Sequence, residues 1–107
     1  MVVRVSTWKN GRPNLKSGAG FGIRIPKKYV KDIKKWECIK FENYKEELSS
    51  NRKLMTELCP EIRSQVIGRY LKLIGKTKWD SGKPHKLELR KIKGTNNKWI
   101  LKKSLNK

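Results

Sequence analysis

Pro26 separates two different hydrophobic periods in the first third of the chain. Before it, residues 21–25 read FGIRI, with every second side chain apolar, and this alternation predicts a half-buried strand. After it, residues 27–36 read KKYVKDIKKW and carry apolar residues at helical spacing. Proline ends the strand but is tolerated in the first turn of a helix. The expected inward residues are Phe21, Ile23 and Ile25 in the strand and Tyr29, Val30 and Ile33 in the helix.

The rest of the sequence predicts further strands and a second helix. Alternating apolar residues predict further strands at 2–8, 37–42, 85–92 and 99–101. Their inward residues are expected to be Val3, Val5, Thr7, Ile39, Phe41, Leu87, Leu89, Trp99 and Leu101. Residues 43–54 predict a polar strand followed by a loop. Residues 60–75 predict the longest helix, with Pro60 in its first position and Gly75 at its end.

Loops are predicted where turn-forming residues replace the periodic pattern, at 9–20, 77–84 and 94–97. This order of elements, with few long crossovers, is typical of an α+β domain, and we expect a small mixed or antiparallel β pseudobarrel with two short helices. The 107 residues suit a single domain, 1–107. Its last residues, 103–107, are expected to form a frayed basic tail.

The charge of the chain is strongly unbalanced. It contains 28 Lys and Arg against 9 Asp and Glu, a formal net charge of +19. Surface ion-pair networks need acids in comparable number, so this excess favours a polyanionic partner, nucleic acid above all. An anionic membrane surface, an acidic protein or a merely lysine-rich composition are the alternatives. With no signal peptide and no long apolar run, a cytoplasmic protein is expected.

The glycine-rich stretch at 18–22 does not predict a nucleotide site. Phosphate-binding loops lie between a strand and a helix, whereas these glycines precede a strand. They are expected to allow a tight turn, a bend or a close backbone approach. Two cysteines, Cys38 and Cys59, and the single His85 cannot complete a zinc finger, so no metal or other cofactor is expected. Both thiols are expected to be small core residues.

A nuclease is the enzymatic alternative, because a basic protein could cut the nucleic acid that it binds. Metal-assisted cleavage needs two or three converging carboxylates and usually a lysine. Asp80 and Glu88 approximate such a set, although Arg90 stands where a lysine is usual. Glu88 also falls between Leu87 and Leu89, where an outward, solvated partner for a lysine is expected. We therefore predict a protein without a catalytic site of its own.

Two polar loops carry residues suited to nucleic acid. Arginine and asparagine read base edges, whereas lysine and serine suit phosphate oxygens. The residues expected to contact base edges are Arg12, Asn14, Asn51 and Arg52, and those expected to hold phosphates are Lys9, Lys16, Arg24, Lys27 and Lys53. Ser49 and Ser50 belong to the second loop. Trp8 and Trp79 stand beside loops, where each could anchor the loop or stack an unpaired base.

The segment IRIPKKYVKDI, a strand running through Ile-Pro-Lys into a short helix, resembles part of the B-three DNA-binding domains of plant transcription factors. Segments downstream are similar in order: CIKFE, IRSQVIGRYLKLIG and HKLELRKI. The same pseudobarrel serves as the recognition domain of some bacterial restriction endonucleases. The resemblance spans roughly residues 2 to 102, and its one sharp motif is Ile-Pro-Lys. Gly82-Lys83-Pro84 stands where the family has Gly-Asp, and the family's second-arm tryptophan has no counterpart.

The resemblance implies two arms that clamp the major groove of double-stranded DNA. By position they are residues 8–17 and 48–53. It also implies a possible separate nuclease or methyltransferase subunit in a restriction-modification system. The expected function is sequence-reading, non-catalytic binding of double-stranded DNA. The alternative is an RNA-binding or ribonucleoprotein accessory protein in which Trp8 or Trp79 stacks bases.

Overall fold

The computed structural model describes residues 1–49, 58, 60–95 and 97–104. These form seven strands and two α-helices, the first preceded by a turn of 3-10 helix at Lys27–Tyr29. The strands are β1 (Val2–Lys9), β2 (Phe21–Arg24), β3 (Cys38–Phe41), β4 (Tyr44–Ser49), β5 (Glu61–Arg63), β6 (Lys86–Lys91) and β7 (Lys98–Lys103). The helices are α1 (Val30–Ile33) and α2 (Gln65–Leu73).

The strands form one mixed sheet in the order β4-β3-β7-β6-β1-β2-β5. All neighbours are antiparallel except β3 and β7, which are parallel. The sheet curls into a half-barrel, so that α2 packs against both β2 and β4 although these strands lie far apart in the sheet order. The result is a small barrel-like α+β fold, as the sequence predicts.

The predicted inward residues form the core except Tyr29, which is only partly buried against it. Val3, Val5 and Thr7 of β1 are buried, as are the predicted apolar residues of β2, β3, β6 and β7. Pro26 precedes the 3-10 turn, and Val30 and Ile33 of α1 are buried in the same core. The strand-to-helix passage at Pro26 is therefore confirmed. No helix in the described ranges is long and apolar enough to cross a membrane.

The predicted helix at 60–75 is wrong in its first turn. Residues Glu61–Arg63 form β5, which pairs with β2, and the helix begins only after Ser64. The Ser64 hydroxyl accepts a hydrogen bond from the Val66 N–H at 3.1 Å, a strong N-cap that stops helix formation upstream. The end of the helix is as predicted, with Gly75 at a φ of +72°.

Two smaller expectations also need correction. Glu88 is not a solvated partner of a lysine: its side chain is only 12% exposed and pairs with Arg90 at 3.1 Å. Lys103 is not part of a frayed tail, because it closes β7 opposite Leu87. The polar strand predicted within 43–54 is present as β4, and the loop predicted to follow it lies almost wholly outside the described residues.

Candidate nucleic-acid interface

The chain from β1 to the start of α1 carries positive charge without any acid. Asp32 is the first carboxylate in the sequence, and eight cations precede it: Arg4, Lys9, Arg12, Lys16, Arg24, Lys27, Lys28 and Lys31. Three of the other carboxylates, Glu42, Glu46 and Glu47, lie together on or beside the β3–β4 hairpin. The charge is therefore uneven along the fold as well as in total.

Asparagine side chains shape the first loop, residues 10–20. The Asn10 Oδ1 accepts the Arg12 N–H at 2.9 Å, and the Asn14 Oδ1 accepts the N–H groups of Lys16 and Ser17 at 2.9 and 3.0 Å. Both are local turns of the kind that asparagine favours. The Asn14 oxygen is thus committed to the loop, and only its amide N–H groups remain for a partner. Arg12 and Lys16 are exposed.

The base of the first loop is fixed against α2. A β-carbon on Gly18 would lie 2.2 Å from the Gln65 carbonyl oxygen, and Gly18 and Gly20 adopt φ values of +84° and +85°. The predicted tight turn and close backbone approach are therefore present. Because these glycines contact helix and loop atoms, they hold the loop in place.

Arg69 of α2 joins the loop to the far side of the half-barrel. Its Nη1 donates to the Ser17 carbonyl at 2.9 Å, while its Nε and Nη2 donate to the two Glu46 carboxylate oxygens at 2.9 and 2.7 Å. The Tyr44 hydroxyl donates to the same carboxylate. These bonds lower the pKa of Glu46 to about 2 and raise the pKa of Arg69. One guanidinium thus positions both the first loop and β4.

Trp8 and Arg63 stack on the outer face of the sheet. In the register of the strands, Gly22 of β2 lies between Trp8 of β1 and Arg63 of β5. Because glycine has no side chain, the Arg63 guanidinium reaches the indole, with its Cζ 4.5 Å from the ring centroid. Arg63 also donates to Glu61 at 3.0 Å. Trp8, predicted as a site residue, is half-buried in this arrangement.

The other tryptophan beside the loop, Trp79, is also half-buried and also has a cation over its ring. The Lys9 Nζ lies 4.2 Å from the centroid of the Trp79 ring, and the His85 ring meets Trp79 edge-on at 5.8 Å. The His85 N–H donates to the Thr7 hydroxyl at 3.0 Å, which ties this segment to β1. Trp79 therefore anchors the 76–85 loop to the end of β1, and its ring holds the side chain of Lys9, the last residue of β1.

A second basic region lies on the outer face at the other end of β2. A groove of about 400 Å³ is lined by Arg4, Ser6, Arg24, Lys27 and Lys86, with Glu61 at its edge. The Glu61 side chain is only 6% exposed and pairs with Arg24 at 3.1 Å. Arg24 and Lys27, both predicted phosphate ligands, are thus brought together here, away from the first loop.

The second predicted loop is represented only by its beginning. Ser49 is exposed at the end of β4. The predicted contacts Ser50, Asn51, Arg52 and Lys53 lie outside the described residues.

The described part of the chain contains no group of three His, Cys, Asp or Glu side chains that could hold a metal ion. Asp80 is exposed in the 76–85 loop, and Glu88 is held by Arg90 on β6. Cys38 is half-buried at the start of β3, near Glu47, rather than in the core, and burial raises the pKa of its thiol. Cys59 lies outside the described residues.

Comparisons with protein-family models, curated proteins and solved structures found no match to this chain.

Sequence reasoning missed Arg63 and Arg69 as parts of this region. Both lie in the segment predicted as one continuous helix, residues 60–75. Ser64 carried a signal for the correct boundary, because serine is a preferred N-cap and places residues 61–63 before the helix. The contact from Arg69 to Ser17 spans 52 residues and has no local signal.

Proposed function

We propose that this protein binds double-stranded DNA through the first loop and the adjoining outer face of β1, β2 and β5, and that it does so without a catalytic site of its own. The observation that carries this proposal is the acid-free segment 1–31, which folds into two neighbouring strands, the loop between them, the 3-10 turn and the start of α1. Eight cations on one contiguous segment suit the regularly spaced phosphates of a nucleic acid.

The fixed backbone conformation of the first loop supports recognition of a base sequence in addition to electrostatic attraction. The asparagine turns and the contact with α2 fix the loop backbone before any partner arrives. A fixed loop loses little entropy on binding, and it presents Arg12 in a defined position. Arginine on such a loop suits the O6 and N7 edge of guanine in the major groove. We therefore infer sequence-selective binding.

The proposed B-three-type pseudobarrel has one arm before the strand that leads to Pro26 and a second arm between the middle strands. In that interpretation residues 48–53 are the second arm. Ser50, Asn51, Arg52 and Lys53 would then meet the same duplex as the first loop. A protein of this kind would supply recognition to a separate nuclease or methyltransferase subunit.

The test compares two double variants with equal loss of charge. R12Q/K16Q removes two cations from the first loop, whereas K91Q/K93Q removes two from the opposite end of β1, where the Lys91 N–H donates to the Met1 carbonyl. The eight residues of β1 separate these sites by roughly 25 Å. Duplex affinity should fall much more in R12Q/K16Q, and it should fall steeply with salt in the unmodified protein.

Competition among duplex DNA, hairpin RNA and single strands completes the test. Preference for hairpin RNA would favour the RNA-binding alternative. Undetectable or salt-insensitive binding to duplexes, or equal losses in the two double variants, would contradict the proposal.

A further inference from the structure

A depression of about 450 Å³ opens beside the base of the first loop. It lies where the end of β1, the start of β2 and the start of α2 meet. Its lining includes the backbone of the 19–20 turn and the residues Trp8, Asn10, Phe21, Arg63, Ser64 and Gln65. All of these residues are described, so the shape of the depression does not depend on the second loop.

One wall of the depression is formed by the contact between Trp8 and Arg63. Trp8 and Arg63 project from positions on either side of Gly22, and the Arg63 Cζ lies 4.5 Å from the centroid of the indole. Glu61 holds Arg63 from the other side at 3.0 Å, so the stack is constrained at the indole and at the carboxylate. Indole rings and guanidinium planes are the surfaces on which proteins stack unpaired nucleobases.

The rest of the lining adds hydrogen-bonding groups without adding an acid. Asn10 and Gln65 bring side-chain amides, which can pair with the edge of a base. The Asn10 Oδ1 already accepts the Arg12 N–H, which leaves the amide N–H groups of Asn10 to donate. Positive Arg63 and the neighbouring basic loop favour a ligand that belongs to a polyanion.

We propose that this depression takes a single unstacked nucleobase of the nucleic acid that the first loop binds. The inference rests on the proposed function, because the phosphates held by the loop would deliver the base. Duplexes with an unpaired base would then bind more tightly than fully paired ones, because the base has already left the stack. The site thus adds a preference for distorted or unpaired positions to the binding of regular duplexes.

The experiment uses two DNA duplexes of the same sequence, one fully paired and one with a single central adenine bulge. The full-length protein should bind the bulged duplex roughly tenfold more tightly, within the range measured for base–aromatic stacking. Trp8→Leu should abolish this preference, so that the ratio of the affinities for the bulged and the paired duplex falls to about one. Trp8→Phe should keep part of the preference. Trp79→Leu, which removes the other half-buried tryptophan beside the loop, is the matched control and should leave the preference unchanged.

A second readout does not depend on any variant folding. With 2-aminopurine as the bulged base, the unmodified protein should quench its fluorescence on binding as the base stacks on the indole. Equal affinity for both duplexes, or bulge binding without quenching, would overturn the inference and leave the proposed function intact. Failure to bind either duplex would overturn both.

Discussion

The backbone of Gly68 in α2 lies directly against the backbone of Gly18 in the first loop. A β-carbon on Gly68 would come within 2.0 Å of the Gly18 carbonyl oxygen, so no larger residue fits there without moving the loop. Because Gly18 has a φ of +84° and an equally close contact with Gln65, neither side of the contact accepts a side chain. The position of the proposed DNA-binding loop therefore depends on two glycines.

Gly68→Ala is expected to destabilise the protein although alanine is the better helix former. Helix propensity alone would favour the substitution by about 1 kcal/mol, but the contact with Gly18 should reverse the sign and cost roughly 1–3 kcal/mol. Gly11→Ala is the matched control, since that glycine has no neighbour within 4 Å. Urea unfolding measures both. Equal stability of the two variants would contradict the packing argument.

Glu46 is expected to make stability depend on acid pH. Its pKa is about 2 in the folded protein against an ordinary value of 4.5, because Arg69 and Tyr44 hydrogen-bond to its carboxylate. A lowered pKa stabilises the fold above pH 4.5, and this contribution is lost as the pH falls from 4.5 towards 2. In thermal unfolding at pH 7, Glu46→Gln should have a lower Tm than the unmodified protein. This difference in Tm should become smaller below pH 3, where the unmodified protein also loses the contribution of Glu46. A difference that stays constant over this range would refute the assignment.

Tyr70 buries a hydroxyl group in an aromatic cluster with Phe41 and Tyr44. Within the described residues the hydroxyl has no hydrogen-bond partner, and burial, with the charge of Glu42, raises its pKa to about 12. Tyr70→Phe should therefore leave the free energy of unfolding unchanged or raise it by up to about 1 kcal/mol. Tyr44→Phe, which removes the bond to Glu46, should lower it. Urea unfolding measures both variants. A larger loss of unfolding free energy in Tyr70→Phe than in Tyr44→Phe would contradict the argument that the Tyr70 hydroxyl makes no stabilising hydrogen bond.

The strands were predictable because each has a clear period of two with one inward face. Val3, Val5 and Thr7, for example, are buried as the alternation requires. β5 was not predictable in the same way, because it has only three residues and Ile62 fits both a strand and a helix. Pairing with β2 and the N-cap at Ser64 make residues 61–63 a strand rather than the first turn of the helix. The pairing is a tertiary contact, so the local sequence does not show it.

The candidate site was predictable in composition but not in arrangement. The charge and polarity of residues 9–17 identify the first loop from sequence. The stack of Arg63 on Trp8 depends on a register of three strands, and Gly22 gives no local sign that it separates the two side chains. The bonds from Arg69 to Glu46 cross 23 residues. Periodicity contains no information about such contacts.

Substitutions of Arg12 and Lys16 are expected to weaken DNA binding in different ways. Arginine can form two parallel hydrogen bonds with guanine, whereas lysine suits a phosphate that every sequence shares. In selection from a random duplex library at moderate salt, Arg12→Gln should relax the preference at one base pair and cost roughly 1–3 kcal/mol on the preferred site. Lys16→Gln should weaken all sequences alike and reduce the salt slope by about 1. If Lys16→Gln changed the selected sequence and Arg12→Gln did not, the two roles would be reversed, and the loop would approach the duplex with its other side.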